Sequence, residues 1–105
     1  MSRRAKLPVE SEKALRQRVL QLLHTLGYRT YYARYSLGAD PGWPDIFAVR
    51  GKTAFALELK REGKEPTVEQ SEWIAALGGV EHLHALVVKP STEVALQAAL
   101  QGAER

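Results

Sequence analysis

The chain has 105 residues, 45% of them hydrophobic, 26% charged and none of them cysteine. That is enough for one core and too little for two, and the charge content is that of a folded domain rather than a disordered chain. The missing cysteine excludes a disulfide scaffold, a thiolate zinc site and a thiol nucleophile.

Residues 1–10 carry no apolar periodicity and are predicted to form a loose N-terminal arm before a single domain over 11–105. The arm begins with the basic run Met1-Ser-Arg-Arg-Ala-Lys. No apolar segment follows it, so it does not read as a secretory signal. No stretch approaches the ~20 apolar residues that span a bilayer. A soluble cytoplasmic protein is the expectation.

Ser11 is a candidate N-cap with Glu12 in the first turn, where an acid suits the helix dipole. Leu15, Val19, Leu22, Leu23 and Leu26 recur at helical spacing and Gly27 stands where a C-terminal glycine belongs. The spacing predicts a helix over 11–26. Residues 28–35, rich in tyrosine, read as a strand. Residues 36–43 are dense in turn formers and read as a loop. Residues 44–50 and 53–60 are β-prone and are separated by Gly51-Lys52, which predicts a hairpin with a type II′ turn. A polar loop over 61–66 follows. Thr67 then opens a helix to about Leu77, in which Trp73, Ile74 and Leu77 are predicted to face the core. Residues 85–88 read as a buried strand ended by Pro90. Ser91 or Thr92 caps a last helix through about Leu100. The order α-β-β-β-α-β-α predicts an α/β fold with a mixed sheet flanked by helices.

The hairpin carries the chemistry. With Gly51 and Lys52 as the loop, Arg50 pairs with Thr53, and the same register sets Asp45 opposite Glu58. Directly opposed Cβ atoms lie roughly 4.5–5.5 Å apart on one face of a sheet, and like charges there are destabilising. Lys60 is two residues beyond Glu58 and so shares its face. Two converging carboxylates offer hard oxygen ligands for Mg²⁺ or Mn²⁺. The plain alternative is that Lys60 compensates one carboxylate at a solvated sheet end. Glu12 could join as a third acid from the sheet-facing edge of the first helix, or could merely complement the dipole; Glu10 competes with it. Gln70 either closes a capping box with Thr67 or orients a water or phosphate near Lys60. Trp43 either packs its loop down or stacks on a base. The three histidines show no metal-ligand spacing, and no phosphate-binding glycine loop or serine-hydrolase elbow is present.

Gly42-Trp43-Pro44-Asp45, then Glu58-Leu59-Lys60, then Gln70, with an acid early in the first helix, resembles the PD-(D/E)XK nuclease superfamily. Within it the small stand-alone VRR-NUC type, similar in fold to Holliday-junction resolvases, looks nearest. The resemblance spans about residues 11–90. It implies a restriction-endonuclease-like αβββαβ core, followed here by a C-terminal helix, and a metal-dependent phosphodiesterase acting on DNA. It implies Asp45, Glu58 and the Leu59 carbonyl as ligands of Mg²⁺ or Mn²⁺, with Glu12 contributing directly or through water. It implies Lys60 as the group that orients or activates the attacking water and helps neutralise the scissile phosphate, and Gln70 as the group that positions Lys60 or the water.

The net charge is +3, and Arg29, Arg34, Arg50, Lys52, Lys60, Arg61 and Lys64 crowd the middle of the chain, which is compatible with a polyanionic partner. So short a chain has little room for a base-reading module, so shape and phosphate contacts are expected to select the substrate, favouring branched or junction DNA. Arg29, Arg34, Trp43 and Lys64 are the candidate DNA contacts. A homodimer is expected, because cutting two strands symmetrically needs two sites. The rival reading is a DNA-binding or assembly module that keeps the fold without catalysis.

Overall fold

Ser11 begins the first helix as the spacing predicts: its hydroxyl accepts from the Ala14 N–H. In the computed structural model, which describes residues 9–33 and 40–105, α1 spans Glu12–Thr25 and Gly27 turns the chain out at φ +84°. Strand β1 is Arg29–Tyr32, β2 is Ile46–Arg50 and β3 is Thr53–Leu59. Helix α2 is Val68–Gly78, β4 is Leu83–Val88 and α3 is Glu93–Gly102. The predicted element order holds. The expected continuation of β1 through Arg34 and Tyr35, and the part of the expected loop over 36–39, lie outside the described residues.

The four strands form one sheet in the order β1-β2-β3-β4. β1, β2 and β3 are antiparallel neighbours, and β4 joins β3 in parallel after the α2 crossover. The sheet is therefore mixed, and among the described residues α1, α2 and α3 flank it. The β2–β3 register is the predicted one, with Arg50 opposite Thr53 and Ile46 opposite Leu57. Gly51 turns it at φ +59° while Lys52 stays at negative φ, the pattern of a type II′ turn.

The two sheet faces are unequal. Ile46, Ala48, Phe55, Leu57, Leu59 and Val88 point to one side and meet Leu15, Val19 and Leu23 of α1 and Leu96 and Leu100 of α3. This is the main core, where each buried leucine or phenylalanine stabilises by about 1.5–3 kcal/mol. The opposite face carries Phe47, Val49, Ala54, Ala56 and Glu58. Its alanines let α2 lie close: a Cβ on Gly78 would sit 4.0 Å from the Ala85 Cβ.

Three expectations need correcting. Helix α2 holds no buried residue, so Trp73, Ile74 and Leu77 are not core; α2 packs against β4 and β3 near the sheet's edge, where one side of it faces solvent. Thr92 precedes α3 but does not cap it. It closes a 3₁₀ turn, Pro90–Thr92, by accepting from the Lys89 N–H and donating to the Lys89 carbonyl. Arg50, one of the cations that crowd the middle of the chain, does not face a polyanionic partner; it is buried and donates to the carbonyls of Leu26, Leu100 and Ala103.

Candidate active site

Asp45 stands one residue before β2, yet the sheet holds it from both sides. Its carbonyl accepts from the Ala33 N–H at 2.9 Å, which extends the β1–β2 register by one rung. Its Oδ2 accepts from the Leu59 N–H at 2.8 Å. In a two-residue hairpin the rungs alternate from the hydrogen-bonded pair beside the loop, so Asp45 and Glu58 fall on a non-bonded rung, where side chains approach closest. Each carboxyl acts on the titration of the other.

Glu58 is only 2% exposed. Its Oε2 lies 3.4 Å from the Lys60 Nζ, while its Oε1 is buried with no hydrogen-bond partner. Lys60 is pinned in turn, because its N–H donates to the Val88 carbonyl at 2.9 Å and only 8% of the residue is exposed. Burial first, and then the Asp45 carboxylate, push the Glu58 carboxyl up to about 8, with Lys60 pulling the other way. Burial also raises Asp45, opposed chiefly by the Leu59 N–H. Two carboxyls this close titrate as a pair sharing a proton.

The donor set fits a hard divalent cation. It offers two carboxylates that repel when both are ionised, and one oxygen that lacks a donor. A cation satisfies both conditions at once. Among the described residues, no three His, Cys, Asp or Glu side chains gather into a metal-holding group. Further ligands would come from backbone, water or substrate, the usual habit of Mg²⁺.

The other predicted residues divide. Glu12 is exposed at the start of α1 and is not gathered in, although its charge is felt at Asp45. Glu10 faces elsewhere: it pairs with Arg18, which also pairs with Glu93 and so ties α1 to α3. That contact also gives the predicted loose arm a fixed end at residue 10. Gln70 does close the capping box, its Oε1 accepting from the Thr67 N–H at 2.8 Å. It also lines a cleft of about 420 Å³ together with Asp40, Gly42, Trp43 and Asp45. The two readings of Gln70 are thus compatible, since the box uses its oxygen and leaves its NH₂ for the cleft.

Trp43 packs its loop down. It stacks on Phe47 at 6.5 Å and meets Trp73 edge-on at 4.9 Å. Lys64 is exposed in the turn after Lys60, at the carboxylate end of the sheet. Arg29 is at the other end: it pairs with Val49, four rungs from Asp45 and roughly 13 Å along the strand. Arg34 lies outside the described residues. His84 stacks on Phe55 at 4.8 Å, far from the carboxylates.

Two residues of this region escaped the sequence reading. Asp40 lines the cleft with Asp45, but in Asp40-Pro-Gly-Trp43 it reads only as a turn former. Arg16 lies over the Tyr32 ring at 4.7 Å, near the carboxylate end of β1. Its one signal is helical spacing, four residues after Glu12.

No family model, curated protein or solved structure matches the chain.

Proposed function

We propose that the chain is a Mg²⁺- or Mn²⁺-dependent endonuclease that hydrolyses DNA phosphodiester bonds, selects branched or junction DNA by shape, and acts as a homodimer. The observation that carries the reading is the pairing of half-buried Asp45 with buried Glu58 beside Lys60, with Glu58 Oε1 left without a donor. Held without a cation, this cluster opposes folding. A domain that needed only stability would fill the position with apolar side chains.

Asp45 and Glu58 would hold the cation, with the Leu59 carbonyl and, through water, Glu12 completing its shell. When bound there, the cation would supply an acidified water and offset charge developing on the phosphate. Asp45 arrives already oriented, because the Leu59 N–H fixes one of its oxygens. Lys60 presents a compact positive charge beside Glu58, where it orients the attacking water and offsets phosphate charge. Gln70 offers its NH₂ from the cleft wall. Lys64 meets the phosphate backbone outside the cleft, and Arg34 is proposed for the same task.

The test is cleavage of linear, nicked and four-way branched DNA by the purified protein with Mg²⁺ or Mn²⁺. The wild type should cut branched DNA fastest. Lys60→Ala should lose on the order of 10²–10³-fold in rate while keeping the thermal stabilisation by Mg²⁺. Full cleavage by Lys60→Ala would remove its role. Tight DNA binding with no cleavage of any substrate would overturn the enzyme reading in favour of a non-catalytic module.

A further inference from the structure

Among the described residues, the sheet face that carries the carboxylates is only half roofed. α2 packs over β4 and β3, while Tyr31 on β1 is 66% exposed and Val49 on β2 is 38% exposed. Register joins these residues into one surface. Tyr31 pairs with Phe47, and Val49 stands two residues along the same face. Phe47 stacks on Trp43, and Trp43 meets Trp73 of α2. Beyond Trp73 lies Ala76, in a shallow pocket flanked by Glu69 and Glu72. A continuous apolar band thus runs from the hairpin end of β2 to the outer side of α2. An antiparallel sheet can leave one face to water, but a contiguous apolar band on that face marks an interface.

The charges at its ends identify the occupant. Arg29 pairs with Val49 at one end, and Glu69 and Glu72 flank the other. DNA is a poor fit, because two carboxylates repel its phosphates and the middle of the band is apolar. A second copy turned by two-fold symmetry fits: each residue i that meets j across the axis is matched by j meeting i. The basic end of each copy then faces the acidic end of the other. We infer that this band, Tyr31–Val49–Phe47 with Trp73 and Ala76, is the contact face of the homodimer, with Arg29 of each copy opposite Glu69 and Glu72 of its mate. This names the surface of the pairing put forward above and rests on that pairing, not on the cleavage chemistry.

The test is mass in solution by sedimentation velocity across micromolar concentrations. The wild type should be a dimer, and Asp45→Asn should be one too, so a failure of the nuclease reading would leave this result untouched. Tyr31→Glu should give a folded monomer. Arg29→Glu and Glu72→Arg alter only exposed side chains, and each alone should weaken the dimer several-fold, while the double exchange should restore it. A monomeric wild type at 100 µM overturns the inference (about 10⁻⁴ M is a weak limit for a specific pair). So does a dimer indifferent to Tyr31→Glu and to both charge reversals, which would place the contact elsewhere.

Discussion

Glu58 is held where an ionised carboxylate is least welcome: 2% exposed, beside a second carboxyl, with one oxygen unpartnered. Its carboxyl is raised from 4.5 to about 8, so the fold favours the protonated form. A group raised on folding gives stability that is fully present below its unfolded pKa and is lost as pH climbs through the folded one. Without divalent metal, stability should therefore decline between about pH 4.5 and 8, and Glu58→Gln should flatten that decline. Denaturant midpoints across the range decide it; parallel curves for the two proteins would show that Glu58 is not the titrating group. Metal should act in the opposite sense, since a cation binds the ionised pair. At pH 8, millimolar Mg²⁺ should raise the melting temperature of the wild type by ligand linkage, about 2.7 kcal/mol at a hundredfold excess over Kd. Asp45→Asn relieves the opposed charges, so without metal it should be as stable as the wild type or slightly more so, and with Mg²⁺ it should gain nothing. Equal shifts in the two proteins would reject Asp45 as a ligand.

The cleft depends on how one turn meets one helix. Asp40-Pro-Gly-Trp43 is a type II turn: the Trp43 N–H donates to the Asp40 carbonyl at 3.3 Å, and Gly42 sits at φ +86°. A Cβ on Gly42 would also lie 2.5 Å from the Glu69 carbonyl carbon and 2.7 Å from the Gln70 nitrogen. The turn that leads into Asp45 is thereby fitted against the first turn of α2, which carries Gln70. Gly42→Ala should cost about 1–3 kcal/mol and should lower cleavage more than that loss explains, because turn and helix are forced apart. A variant with wild-type turnover would show that the fit is incidental. The sequence disclosed much of this region because its signals are local: a glycine-led two-residue loop sets the register of Asp45 against Glu58, and Thr67 with Gln70 spells a capping box. It misplaced Trp73, Ile74 and Leu77 because apolar spacing reveals that a helix has an apolar side, not how much sheet lies beneath it. It also left Arg50 among the mid-chain cations open to a polyanion, since the carbonyls of Leu100 and Ala103 that bind it are distant in the chain.

Those distant partners make the two ends of the sheet into separate parts. At one end stands the carboxylate cluster. At the other, the C-terminal segment is latched to the hairpin: Arg50 donates to Leu26, Leu100 and Ala103, the Tyr28 hydroxyl donates to Leu100, and Thr53 donates to Glu104. The Arg50 guanidinium also lies 4.5 Å from the Tyr28 ring centre, and Gly51 leaves room for Arg105, whose carbonyl carbon would be 2.2 Å from a Cβ there. The latch closes α3 over the core and takes no part in the cleft. Arg50→Met keeps most of the apolar stem but strips several part-buried carbonyls of their donor, each loss costing about 1–3 kcal/mol; the Tyr28 hydroxyl still serves Leu100, so the whole should come to about 3 kcal/mol. Removing residues 103–105 should destabilise in the same direction, because it deletes two of the carbonyl partners. Urea unfolding at pH 6 measures both changes. Cleavage per folded molecule should stay at the wild-type level in both variants, because Arg50 ends β2 while Asp45 stands just before its first residue. Loss of turnover without loss of stability would mean that the latch and the cleft are mechanically coupled.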